Sequence, residues 1–295
     1  MSAAAKKIVV CGGTGFLGSR ICRAAVSRGW DVTSLSRSGE PRWESVTSSS
    51  SPPVWANQVS WERADIFRPA QYIALLKGAD YVVHSMGILL EADYKKVLSG
   101  RESPIAGLQR AFSANRESRS SANPLERQAA GEEEQLPPPS SQSQLTYEMM
   151  NRDSAILLAK EAAKEHVKAF GYISAAGGAP VLPGRYISTK REAEDVIARE
   201  FPSMRGVFFR PPFMYDSSRA FTVPMAAAAS AGSVFNTVTG GVLSGFLGAA
   251  GAKPLKADLV ADAVVEGLDD EHVSGPVEVP QLEELGTKSW RKTML

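Results

Sequence analysis

The chain reads as an α/β protein of the Rossmann type, a doubly wound parallel sheet with helices on both faces, a small C-terminal substrate-side region and a disordered insertion. Three observations carry that reading. Residues 7–11, "KIVVC", form a short β-branched run that enters the glycine turn "GGTGFLG" and then a stretch of helical spacing. Strand-like and helix-like segments alternate up to residue 89, the pattern that βαβ units impose. The alternation resumes after residue 145.

Taken in order, residues 7–11 have the composition of a strand buried on both faces. From Phe16 to Arg28 apolar residues recur at helical spacing (Leu17, Ile21, Ala24, Ala25), and Gly29 stops the helix. Asp31–Leu35 is a second strand, and "ESVTSSSSPPVWANQ" is a surface loop. "QVSWERADI" supplies a third strand, "AQYIALLKG" a short helix and "ADYVVHSMGIL" a fourth strand. Residues 99–145 are rich in Ser, Pro, Glu and Arg and poor in large apolar groups, the composition of an insertion without a core of its own. "LTYEMMNRDSAILLAKEAAKEH" is a long helix, followed by strand "VKAFGYISA", helix 185–200 and strand "RGVFFRPPF". All of residues 1–295 are read as one dinucleotide-binding unit.

The totals exclude several functions. Net charge is +1, from 33 basic and 32 acidic residues scattered along the chain, so no field that would recruit nucleic acid is implied. Two cysteines, Cys11 and Cys22, argue against a disulfide scaffold. The three histidines stand far apart, without the spacing of a zinc site. "MSAAAKKIVV" leaves no room for a signal peptide or an Arg-rich presequence, which points to the cytoplasm or to import by an internal signal. Residues 220–252 lack any charged side chain. That length would span a membrane, but interrupting Gly, Ser, Thr and Asn favour an apolar cover over a site or a lipid-facing surface, within a region placed at 212–256.

The chemistry starts at the glycine turn. Gly12, Gly15 and Gly18 have the G-x-x-G-x-x-G spacing between a strand and a helix. Glycines there allow backbone, through Thr14, Phe16 and Leu17, to approach a pyrophosphate, and the helix N-terminus supplies N–H donors. At the end of strand two an acid would suit the ribose of NAD(H). The chain instead offers Ser36 and Arg37 in "SLSRSG", and arginine suits a 2′-phosphate, which favours NADP(H) while leaving NAD(H) possible. "GRYISTKREAE" sets Tyr186 and Lys190 one helical turn apart on one face. Alone, that pair is common enough to arise by chance.

With these motifs in place the chain resembles the extended and atypical short-chain dehydrogenases/reductases. "GGTGFLG" matches their glycine fingerprint, and "RADI" (Asp65, Ile66) the turn that holds adenine. "VVHSMG" stands where the family has the strand beside the cofactor ribose. "MMNRDSAILLAKEAAKEHVKAFGYISA" aligns Asn151 and Ser174 with the family's asparagine and serine, and "YISTK" with its Tyr-x-x-x-Lys element. "FFRPPFMYD" and "PLKADLVADAVVEGL" are similar to later family segments. Within that family, "HSMGILLEADYK", "YISAAGGAPVLPGRYISTKREAE" and "RPPFMYDSSR" look like a fungal mitochondrial group of the coenzyme Q biosynthetic complex. That group is related to the NADPH-holding accessory subunit of respiratory complex I.

The resemblance implies roles. Tyr186 would be the acid/base, its phenol assisted by the Lys190 ammonium, which would also bind the nicotinamide ribose. Ser174 would donate to the substrate oxygen, and Asn151 would position a relaying water. It further implies ubiquinone synthesis at the mitochondrial inner membrane, with a quinone-type substrate and subunits of the biosynthetic complex as partners. Two alternatives stay open: a non-catalytic NADPH-binding subunit of a respiratory-type complex, and a nucleotide-sugar epimerase or dehydratase.

Overall fold

The computed structural model describes residues 4–47, 49–87, 122–129, 146–177, 184–216 and 253–294. The 220–252 stretch therefore lies outside the described residues, as do 99–121 and 130–145 of the insertion.

Seven parallel strands form the sheet: β1 (Lys7–Cys11), β2 (Asp31–Ser36), β3 (Val59–Arg63), β4 (Tyr81–His84), β5 (Ala169–Ile173), β6 (Arg205–Phe209) and, past a small two-stranded sheet, β9 (Gly275–Val277). Their order is β3-β2-β1-β4-β5-β6-β9, and the chain reverses direction across the sheet between β1 and β4, where an open α/β sheet places its ligand crevice. The two-stranded sheet pairs β7 (Met214–Tyr215) with β8 (Leu255–Lys256).

Helices cover both faces. One face carries α1 (Gly18–Ser27) and a later helix numbered α7 (Ala257–Asp269), packed on Ile8, Val10, Val32 and Val83. Between β2 and β3 run a single turn, α2 (Trp43–Val46), and a 3₁₀ turn, Val54–Gln58. Trp43, Trp55 and Trp61 pack there with ring centroids 5.6–6.2 Å apart. The segment "ESVTSSSSPPVWANQ" is thus anchored by aromatic packing at its start and end, which its Ser/Pro content masks in the sequence. The helix expected in "AQYIALLKG" is one turn only, α3 (Ile73–Leu76), after a 3₁₀ turn at Pro69–Gln71.

On the other face, α5 (Ser154–Lys164) and α6 (Gly184–Glu200) pack against Val9, Val82, Phe170, Tyr172 and Phe208. Inside the segment read as a disordered insertion, Pro124–Ala129 forms a helix, α4. Its order comes from partners distant in sequence. Arg127 pairs with Asp153 at 2.8 Å, and buried Arg152 donates to the Ala122 carbonyl at 3.0 Å. The C-terminus adds α8 (Val279–Thr293), packed on α7 through Leu282 and Leu285. No described helix is long and apolar enough to cross a membrane.

Candidate functional site

The carboxyl ends of β1, β2, β4 and β5 converge on one edge of the sheet. Gly12 leaves β1 with φ +87°, a left-handed conformation that favours glycine, and its N–H donates to the Leu35 carbonyl. The turn closes when the Gly15 N–H donates to the Gly12 carbonyl at 2.9 Å. A Cβ on Gly18 would lie 2.1 Å from that same carbonyl oxygen, so only glycine lets α1 start against the turn. Thr14, Gly15 and Phe16 are partly exposed, while Leu17 and Gly18 are buried.

Arg20 braces this loop from below. Its guanidinium donates to the Phe16 carbonyl at 2.6 Å and lies 4.6 Å from the Phe16 ring. It also pairs with Asp216 at 2.7 Å and Asp258 at 3.2 Å, linking the glycine turn to the end of β7 and the start of α7.

At the end of β2, Ser36 donates to the Gly39 carbonyl at 2.9 Å, and Arg37 is exposed beside it. Asp65 accepts the Phe67 N–H at 3.1 Å and so shapes its own turn, with Ile66 buried behind it.

The deeper half of the site is built by β4, β5, α6 and the turn before α5. The helix that the sequence predicts across residues 145–166 opens with a π-helical turn, Glu148–Asp153. Asn151 sits inside it, and its carbonyl accepts the Tyr172 hydroxyl at 2.7 Å. Turns of this kind recur at functional sites. The Asn151 side chain is fully buried, yet neither atom of its amide has a hydrogen-bond partner. A Cβ on Gly87 would lie 3.5 Å from the Asn151 amide oxygen and 3.6 Å from the Lys190 ammonium, so both groups line the same small space. The nearby Ser85 hydroxyl is likewise buried and unpartnered.

Lys190 is 3% exposed. Its ammonium donates to the Ile173 carbonyl at 2.9 Å and lies 5.2 and 5.6 Å from the rings of Tyr172 and Tyr186. Burial brings its pKa down to about 7; Glu194 opposes that shift and Arg191 adds to it. Tyr186 is buried against Tyr147, edge to face at 5.8 Å, and against Ala175. Its phenol is raised above the usual range, first by burial and then by Tyr147. His84 donates to or accepts from Ser154 at 2.8 Å, and burial followed by Lys190 holds it down to about 3, a neutral imidazole of the core.

Asn151, Lys190 and Tyr186 thus meet in one place, and the glycine turn stands across the sheet edge from them. Ser174, expected to donate to the substrate oxygen, has an arginine partner that leaves its O–H free to donate. Its hydroxyl accepts Arg191 at 2.8 Å, and it is the neighbouring Ala175 that packs on Tyr186. Arg191 also donates to the Ala175 carbonyl and pairs with Glu194, which in turn pairs with Arg210. Tyr172, Tyr147, Arg191 and Glu194 were not evident as site residues from sequence. Only Glu194, one helical turn past Lys190 on its face, carried a local signal.

A glycine turn at the end of β1 whose Gly18 admits no side chain, with unpartnered buried polar groups at Asn151 and Ser85, suits a dinucleotide. Comparison with known proteins agrees. Residues 8–95 match the NAD dependent epimerase/dehydratase family. MIOREX complex component 2 of Saccharomyces cerevisiae is 39% identical over 229 residues, which is 72% of this chain and 74% of that protein. Two solved structures share the fold. UDP-N-acetylglucosamine 4-epimerase of Bacillus cereus has a TM-score of 0.52 at 15% identity, covering 95% of this chain and 83% of the other. Vestitone reductase of alfalfa has a TM-score of 0.52 at 16% identity, covering 92% and 76%. The chain belongs to the epimerase-type, NAD(P)-binding short-chain dehydrogenase/reductase family, in the group of MIOREX complex component 2.

Proposed function

We propose that this protein is an NADP(H)-dependent oxidoreductase of an apolar, quinone-type intermediate, supporting ubiquinone formation at the mitochondrial inner membrane. The observation that carries the catalytic part is the convergence of Asn151, Lys190 and Tyr186, the first two lining the space beside Gly87 and Lys190 lying 5.6 Å from the Tyr186 ring. Bound there, the nicotinamide would supply or accept the hydride. The chain's own groups hold and orient it: Gly12, Gly15 and Gly18 admit the pyrophosphate, Asp65 and Ile66 shape the adenine turn, and Lys190 presents its ammonium to the ribose. Tyr186 holds the proton that moves to or from the substrate oxygen, and Lys190, where the bound ribose keeps it charged, would favour its release. Arg37, exposed where a ribose 2′-phosphate is read, supports NADP(H) over NAD(H).

A second reading has its own support. The Tyr186 phenol is buried and raised, and the MIOREX relative is named as a component of a complex. On that reading the protein binds NADP(H) and serves as a subunit without turnover. Complementation of a deletion strain by Tyr186→Phe separates the two. Loss of quinone with normal protein level supports the oxidoreductase, and full rescue overturns it in favour of the subunit. The cofactor assignment is tested by titration with NADPH and NADH. Equal affinities, or no effect of Arg37→Glu on either, overturn it. Turnover of UDP-sugars by the purified protein would replace both readings with the epimerase one.

A further inference from the structure

We infer that Arg63, the last residue of β3, is a second determinant of cofactor choice and binds the 2′-phosphate of NADP(H) together with Arg37; the inference rests on the NADP(H) reading above.

Register brings Arg63 there. The parallel pairing of β2 and β3 sets Ser34 beside Trp61 and Ser36 beside Arg63. Neighbouring strands run about 4.8 Å apart, and residues two apart share a face. A Cβ on Gly13 would lie 2.2 Å from the Ser34 hydroxyl, so the face of Ser34 and Ser36 is the one against which the glycine turn lies. Arg63 is therefore on the glycine turn's side of the sheet, at the carboxyl edge, one strand beyond Ser36.

The loop after β2 folds onto it. Ser36 donates to the Gly39 carbonyl at 2.9 Å, and the Ala64 N–H donates to the Ser36 carbonyl at 2.9 Å. Gly39 has φ +75°, and a Cβ there would lie 3.9 Å from the Arg63 Cβ. Arg37 lies in the 36–39 turn so formed, and both arginines are exposed.

Charge completes the case. Neither the Arg37 nor the Arg63 side chain has an ion pair or hydrogen bond among the described residues. The neighbouring carboxylates are committed elsewhere. Glu40 accepts the Trp43 indole N–H at 2.8 Å, Glu62 accepts the Ser60 hydroxyl at 2.8 Å on the opposite face, and Asp65 accepts the Phe67 N–H. Two exposed guanidinium groups without an ion pair among the described residues, at the edge where a ribose 2′ substituent is read, offer donors suited to a phosphate dianion.

The test uses the full chain, with 2′,5′-ADP and 5′-AMP as probes in calorimetric titration. The two differ only in the 2′-phosphate. The parent should bind 2′,5′-ADP more tightly, and Arg63→Ser should weaken 2′,5′-ADP about ten- to a hundredfold while leaving 5′-AMP within about twofold. Arg63→Lys should fall between them. Thermal unfolding of each variant, unchanged from the parent, excludes a folding effect at this exposed position. A parent that does not distinguish the probes overturns both the NADP(H) reading and this inference. A parent that does distinguish them, with Arg63→Ser unchanged or with both probes weakened equally, overturns the role of Arg63 alone.

Discussion

Replacing Lys190 by methionine should stabilise the free protein at neutral pH and weaken its hold on a dinucleotide. The Lys190 ammonium is 3% exposed, and burial brings its pKa from 10.5 to about 7. That interval is equivalent to roughly 5 kcal/mol of preference for the neutral amine, taken as an upper bound. Methionine keeps most of the volume and removes the charge. It also deprives the Ile173 carbonyl of its donor at 2.9 Å, at about 1–3 kcal/mol, and removes cation–π contacts worth about 1 kcal/mol. The net expectation near pH 7 is a gain of about 1–3 kcal/mol. Its pH dependence is more telling than its size. Below about pH 7 both folded and unfolded parent carry the proton, and the full cost applies. Between about 7 and 10.5 only the unfolded chain binds it, so the parent's unfolding free energy climbs with pH and the variant's advantage shrinks and reverses. Urea unfolding of parent and variant between about pH 6.5 and 10 measures this. A stability difference that stays flat across that range refutes a buried, destabilised ammonium at this site.

Two further perturbations test the scaffold around it. Gly18→Ala places a Cβ 2.1 Å from the Gly12 carbonyl oxygen, so calorimetric melting should show a loss of about 1–3 kcal/mol or more, with dinucleotide binding abolished. Glu194→Gln leaves the Arg191 and Arg210 charges without their buried partner; chemical denaturation should register a loss of about 3–5 kcal/mol.

Local signals account for what was readable in the sequence. Gly12, Gly15 and Gly18 are legible because backbone geometry alone demands them, and the strands because burial on both faces demands β-branched runs. Tyr186 and Lys190 become meaningful only behind those elements. What was not legible depends on partners far along the chain. The π-helical turn around Asn151 is supported by Tyr172 of β5, and Arg152 and Arg127 order α4 inside a stretch whose composition reads as disordered. β9, "GPV", is three residues with a proline, a turn by composition, and becomes a strand because it occupies the sheet edge beside β6. Nothing local to Ser174 announces that Arg191 reaches back to its hydroxyl.

The state of the Tyr186 proton decides between the two functional readings. In the free protein the phenol lies above its ordinary range because it is buried against Tyr147, and only Arg191 pulls the other way. Lys190, which would favour the phenolate, is itself brought down to about 7, so at mildly alkaline pH it carries little of the charge that could help. Turnover near neutrality therefore requires the bound cofactor to change both groups. A positively charged nicotinamide bound there would lower the phenol, and ribose hydroxyls accepting from Lys190 would favour its charged form. Phenolate difference absorbance, taken as parent minus Tyr186→Phe, follows this one side chain through a pH titration. With saturating NADP⁺ its midpoint should fall into or below the ordinary tyrosine range, each pH unit of that fall being about 1.4 kcal/mol. A midpoint that stays above the ordinary tyrosine range with NADP⁺ bound would mean that Lys190 holds a cofactor beside a tyrosine that never gives up its proton, and the oxidoreductase reading would fall.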